Sequence, residues 1–258
     1  RHCSNWYQTL SGKSALDDID SLCSELMSEI FGYYAIEIGV LSGQHEILQN
    51  SRITTGFSLV SPECLESIDK QNSSRDKCAL ITTNQQLPIS TDNVDLVVAS
   101  HILESSENPH QVLREIDRIL VPEGHCILIG FNPFSLPHVS RKIRYVHQLK
   151  DQKYRMRSVH RVRDWFSLLG FEVLDVNYMG YRPAVKNKKI FESLKWLEKW
   201  GEYAGPILGN MYVVHAKKQV IAMRPDKKVW KAPAVLKGGK VALNRTAQKI
   251  RRDNYSNL

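Results

Sequence analysis

Apolar positions along the chain change period several times. In SALDDIDSLCSELMSEIFGY, Leu16, Ile19, Leu22, Leu26, Met27 and Ile30 recur at helical spacing behind early acids, which predicts a helix over about 14–31. Short apolar runs in AIEIGV (35–40), GFSLV (56–60) and CALIT (78–82) each run into turn-type residues and predict strands. The middle is the most explicit. VDLVVAS (94–100) predicts a strand, ENPHQVLREIDRIL (107–120) an amphipathic helix opening at Asn108–Pro109, and VPEGHCILIGFNP (121–133) a turn and a further strand. Beyond it, RDWFSLLGF (163–171) predicts a short helix ending at Gly170 and EVLDVNYM (172–179) a strand. IFESLKWLEKWGEY (190–203) then predicts a helix, and NMYVVHAKKQVIAM (210–223) a closing strand or hairpin.

Strand, helix and strand at this spacing make βαβ units, and these imply an α/β fold with a mainly parallel sheet covered on both faces by helices. In such a sheet the ligand site lies at the carboxyl ends of the strands, so the turns after the strands are where chemistry is expected. A length of 258 residues suits one sizeable domain with additions. The longest apolar runs are strand-length, far short of the roughly 20 residues of a membrane-spanning helix. The opening RHCSNWYQTL lacks an initiator Met and an apolar signal core, which reads as a trimmed start and a cytoplasmic protein. Five cysteines form no CxxC pair and suggest reduced thiols rather than zinc or disulfides. No metal site is expected.

Charge divides the chain. Residues 1–140 hold 8 Lys/Arg against 18 Asp/Glu, whereas 141–163 hold 9 against 1 and 217–258 hold 12 against 2. Two basic segments therefore sit on an acidic body. The last, with Gly and Pro breaking any period, reads as a disordered basic tail over 224–258, suited either to RNA or another polyanion or to solubility alone. The segments 1–34 and 134–163 read as an N-terminal helical extension and a basic insertion into a domain spanning 35–223.

The stretch LPISTDNVDLVVASHILESSENPHQVLREIDRILVPEGHCILIGFN (87–132) resembles the class I S-adenosylmethionine-dependent methyltransferases, in particular the type 11 methyltransferase domain. An LPF-type turn, a DLV strand ending in polar residues, a helix with an LREI-like face and a P-G turn into the next strand occur in the family's order. The likeness extends back to SPECL (61–65) and forward to WFSLLGFEVL (165–174). GFNPFSL (130–136) followed by basic residues is more like one poorly characterised bacterial subgroup than the family at large. The resemblance implies a Rossmann-like, doubly wound seven-stranded sheet, mostly parallel with the last strand antiparallel. It also implies S-adenosylmethionine across the ends of the first, second and fourth strands.

Laid on the family's DxGxGxG turn, IEIGVLSG puts Glu37 at the acid, Ile38 beside it, Gly39 and Gly43 at the outer glycines and Leu41 at the middle one. The resemblance assigns Leu59 to the place of the ribose-binding carboxylate and Thr83, with Asn84 and Gln85 alongside, to the adenine-binding strand end. Leu59 cannot accept from the ribose hydroxyls; Glu46 or Glu63 is an alternative acid. Ser100 and His101, ending the fourth strand, fall where the family faces the methyl group. His101 is the candidate general base, or else a helix cap or pocket liner. Asn132, Arg141 and Arg144 are candidates for binding an acceptor, anionic if the basic insertion contacts it. Glu104 reads as a charge favourable to a helix start. The function expected is methyl transfer to an unidentified acceptor; the alternative is an inactive methyltransferase fold that binds RNA or another polyanion. A nicotinamide-dependent reductase would need GxGxxG after the first strand, and Gly39-Val-Leu-Ser-Gly43 does not supply it. The sequence leaves the oligomeric state open.

Overall fold

A computed structural model of the chain describes residues 6–42, 47–60, 79–81, 86–135, 155–181, 192–193 and 209–219. Among the described residues seven strands form one sheet: β1 (Tyr34–Gly39), β2 (Thr55–Val60), β3 (Ala79–Ile81), β4 (Val94–Ser100), β5 (Leu120–Phe131), β6 (Phe171–Met179) and β7 (Met211–Lys218). Their order is β3-β2-β1-β4-β5-β7-β6. The strands β1 to β5 pair in parallel, whereas β7 runs antiparallel to both β5 and β6. The central strands β1 and β4 are buried almost throughout, as their mostly apolar sequences, interrupted only by Glu37 and Asp95, suit strands covered on both faces.

Each face packs on its own helices. Helices α3 (Pro109–Ile119) and α4 (Val159–Leu168) bring Val112, Leu113, Ile116, Val162 and Phe166 against Ile36, Ile38, Val97 and Leu128. On the other face α1 (Leu10–Met27) sets Leu16, Ile19, Cys23 and Met27 on Ala35, Val98, Ile127 and Val213. The apolar period predicted α1 over 14–31, but the helix starts earlier because Thr9 caps it, its hydroxyl accepting the Gly12 N–H at 3.1 Å. It ends before Ile30, and the Asp95 carboxylate takes the N–H groups of Tyr33 and Tyr34 at 2.7 and 3.0 Å to launch β1. Between β1 and β2 the described residues hold only a 3-10 turn, Ile47–Asn50, where parallel neighbours are ordinarily joined through an α-helix. The buried Ile47 and Leu48 of that turn pack with α1, which covers this part of the sheet.

The middle stretch shows why its motif elements occur together. Arg118 on α3 donates to the carbonyls of Leu87 and Ile89 at 3.1 and 2.8 Å, while Glu115 accepts the Leu87 N–H at 3.2 Å. The LPIS turn is thus pinned to the LREIDR helix by an ion pair that lowers the Glu115 carboxyl and raises the Arg118 guanidinium. A four-residue helix α2 (Ile102–Ser105) precedes α3. The predicted VPEG turn survives as an excursion inside β5: Val94 pairs with Leu120 and Leu96 with His125, with Glu123 in a left-handed conformation between them. Of the late helix predicted over 190–203, only residues 192–193 are described. The predicted tail over 224–258 lies outside the described residues.

At the amino end of β5, His125 Nδ1 meets His215 Nε2 of β7 at 2.9 Å. Burial first, then His215 and Lys217, push His125 down to about 4, with Glu123 opposing; burial also lowers His215 against the pull of Asp175. Both imidazoles are therefore held neutral in the fold and take up protons more readily once unfolded. Stability is fully present above about pH 6.5 and is lost as pH falls toward 4. Urea unfolding at pH 7 and pH 4.5 should show a loss of about 1–2 kcal/mol from this pair, discounted for its partial exposure, and His125→Asn should flatten that pH dependence.

Candidate active site

The carboxyl ends of β1 and β4 meet at one contact. Gly39 turns out of β1 at φ 110°, and a Cβ there would collide with the Ser100 carbonyl oxygen. That carbonyl accepts the Val40 N–H at 2.9 Å. The Ser100 hydroxyl accepts the Leu41 N–H at 2.9 Å and donates to the Ile38 carbonyl at 3.2 Å. Only glycine takes this φ without strain and leaves room for the neighbouring strand. Gly39, Ile38 and Ser100 therefore form one joint.

Glu37 points to the α1 side, 1% exposed, opposite Ser58, whose hydroxyl donates to Oε2 at 3.4 Å. Burial, helped by the charges of Asp20 and Glu37, pushes the Cys23 thiol of α1 up to about 12, so the carboxylate lies beside that helix. The Ser42 hydroxyl donates to the Glu37 carbonyl at 3.0 Å and closes the turn on its own strand. Leu41, at the place of the middle glycine, is buried with Val40, Ile47 and Leu48. Its side chain is a core group under α1, which is how the turn tolerates it.

Leu59 is 1% exposed and pairs with Ile38 and Leu80 across the sheet. Its side chain belongs to the core with Ile36, Leu87 and Leu103. Gly43, Thr83, Asn84, Arg141 and Arg144 lie outside the described residues, as do Glu46, Glu63 and Gln85.

His101 follows Ser100 in a left-handed conformation and is completely buried. It occupies the N-cap position of α2 but makes no side-chain capping bond, so a capping role is absent. Its ring stacks on Phe131 at 4.2 Å, its Nε2 is hydrogen-bonded to the Tyr7 hydroxyl, and its Nδ1 lies 3.6 Å from Glu104 Oε1. Glu104 is 2% exposed and accepts the Phe131 N–H at 2.7 Å. Asn132, also buried, donates to the Gly209 carbonyl at 2.8 Å and accepts the Phe134 N–H at 3.1 Å, tying the end of β5 to the residues before β7. Both ends of its amide serve the backbone.

The basic segment re-enters the described structure beside this end of the sheet, where the Arg155 N–H donates to the Glu104 carbonyl at 3.2 Å. Arg157 lies over the Trp165 ring at 5.8 Å. Burial and the neighbouring Arg155 and Arg161 lower its guanidinium from the usual value, with Glu104 opposing. Sequence reasoning missed Trp6, Tyr7 and the inward role of Glu104. Tyr7 is 94 residues from His101, and no local period marks such a pair.

Residues 38–128 match the model of a methyltransferase domain, Methyltransf_11. An uncharacterized protein, YafS of Escherichia coli (strain K12), is 30% identical over 140 residues, which is 53% of each chain. The chain thus spans about half the length of this curated relative. Among solved structures, the protein bound to the methyltransferase activator Trm112 in a Haloferax volcanii complex superposes with a TM-score of 0.59 at 19% identity, over 84% of this chain and 98% of that one. An S-adenosylmethionine-dependent methyltransferase from Mesorhizobium loti does so with a TM-score of 0.54 at 14% identity, over 76% and 96%. At such identities the likeness is one of fold. The sheet order and the joint at the end of β1 agree with the fold of these methyltransferases, and residues 38–128 are similar to the methyltransferase domain whose model they match.

Proposed function

We propose that this chain transfers a methyl group from S-adenosylmethionine to an anionic acceptor. One observation carries the reading: β1 and β4 end together at the glycine joint of Gly39 and Ser100, the place where a doubly wound sheet holds its ligand. Gly39 is the proposed contact to the methionine end of the cofactor, while Glu37 and Ser100, both buried, shape the turn that would hold it. The ribose end is weaker, because Leu59 supplies no carboxylate and is committed to the core. Thr83 and Asn84 remain the proposed partners of the adenine.

When bound, the cofactor supplies an electrophilic methyl group. The protein then has only to align the acceptor, exclude water and take a proton where the acceptor gives one up. His101 is the proposed proton acceptor, and its burial with Tyr7 and Phe131 keeps bulk water from it. Asn132 acts indirectly, by holding the end of β5. Arg155, Arg157 and Arg161 crowd positive charge beside Glu104, and Arg141 and Arg144 belong to the same basic segment. Such crowding is relieved by a phosphate or carboxylate, hence the acceptor class.

Calorimetry on the full chain is expected to show one-site micromolar binding of S-adenosylmethionine and S-adenosylhomocysteine. Gly39→Ala should weaken it by at least about tenfold, or 1.4 kcal/mol. No heat from the unmodified chain up to millimolar ligand would defeat the cofactor reading and leave polyanion binding through the basic segments. Leu59→Asp should not restore a ribose contact; placing a carboxylate in the core should cost about 4 kcal/mol or more in urea unfolding. A variant that kept its stability and bound the cofactor more tightly would place residue 59 at the ligand instead. With methyl-tritiated cofactor and a cell extract, label should enter material retained on an anion exchanger; label confined to neutral lipid would overturn the acceptor class.

A further inference from the structure

The contact between Tyr7 and His101 has a direction that its surroundings decide. Either the phenol donates to Nε2 and the ring carries its proton on Nδ1, or Nε2–H donates to the phenol oxygen and Nδ1 is a bare lone pair. Nδ1 faces Glu104 Oε1 at 3.6 Å, and that oxygen already accepts the Phe131 N–H at 2.7 Å. A lone pair aimed at a carboxylate oxygen is repelled, whereas an N–H is attracted. A second partner of the phenol, Met211 Sδ at 3.5 Å, is a weak acceptor and does not compete with an imidazole nitrogen.

We propose that Tyr7 is a positioning residue of the methyl-transfer site, locking His101 in the Nδ1–H tautomer so that Nε2 is its basic atom. A proton delivered to the pair passes through the phenol oxygen to Nε2, the phenol regaining a proton from the donor, and the charge that results faces Glu104. The purpose of this arrangement rests on the methyltransferase reading; its hydrogen-bond direction does not.

The local structure is built to hold Tyr7 in place. A Cβ at Gly12 would collide with the Trp6 carbonyl and the Tyr7 backbone, so a glycine in α1 lets this turn lie flat on the helix. The hydroxyl and the N–H of Thr9 both donate to the Trp6 carbonyl, at 2.7 and 3.0 Å. Trp6 meets the Tyr7 ring edge-on at 4.9 Å and the Phe131 ring at 5.4 Å, and Phe131 in turn carries His101. The turn before α1 thereby reaches the end of β4, which the chain order alone would place far from it.

The test is nitrogen-15 NMR of the histidine side chains in the full chain at pH 7.5, with His101 assigned by the loss of its signals in His101→Gln. The expected spectrum has a protonated Nδ1 and an unprotonated, hydrogen-bonded Nε2. Tyr7→Phe should displace the Nε2 resonance and mix the tautomers, a change that a tyrosine serving only as packing would not cause. A protonated Nε2 in the unmodified chain, or an identical His101 spectrum in folded Tyr7→Phe, would overturn the proposal. If Tyr7→Phe fails to fold, the unmodified chain decides by itself. Titration of the same unmodified sample with S-adenosylhomocysteine separates the two readings: an absent response would end the methyl-transfer role of the pair without changing the tautomer result.

Discussion

The closeness of two strand ends organises this protein. At the carboxyl end of β1 the backbone of Gly39 lies against the Ser100 carbonyl, and the Ser100 hydroxyl binds Ile38 on one side and Leu41 on the other. The approach requires a residue without a Cβ and a left-handed φ at the same position. Because Ser100 is followed immediately by His101, the joint that shapes the turn also sets where the histidine ring leaves β4. The turn after β1 and the candidate base are mechanically one object.

The second constraint is how the sheet face beside that joint is covered. With only a 3-10 turn described between β1 and β2, α1 from the start of the chain supplies the apolar surface, and Leu41 turns inward to meet it. This explains how a leucine can stand in a glycine-bearing turn. It also brings the turn that precedes α1 to the end of β4, so that Trp6 and Tyr7 pack on Phe131 and His101. Covering the sheet and enclosing the site follow from the same helix.

The electrostatic layout is likewise divided between the two faces. Glu37 is buried on the α1 side, Glu104 at the end of β4 and β5, and the arginines of the re-entering basic segment gather beside Glu104. Arg155 and Arg161 crowd the Arg157 guanidinium, and Glu104 partly offsets their charge. The domain match covers residues 38–128, and these arginines lie beyond it.

Periodicity in the sequence was enough for the α/β class, β4 to the residue and α3 to within two at either end, because buried parallel strands and amphipathic helices write their burial directly into residue order. The resemblance supplied the count of seven strands and the antiparallel last strand, which no local pattern contains; the order of the strands came from the structure. The start of α1 was misjudged because its capping residue, Thr9, lies outside the apolar period. At the site, Gly39 and Ser100 were legible as motif positions, but the inward turn of Leu41, the core packing of Leu59 and the backbone ties of Asn132 were not. Those depend on which groups from distant segments fill the space around them. The sequence by itself determined the elements and their chemistry-bearing ends, since each is governed by neighbours a few residues away. Only the tertiary structure decided that Tyr7, His101 and Glu104 form one buried line, since a hydrogen bond across 94 residues exists only once α1 has packed on the sheet.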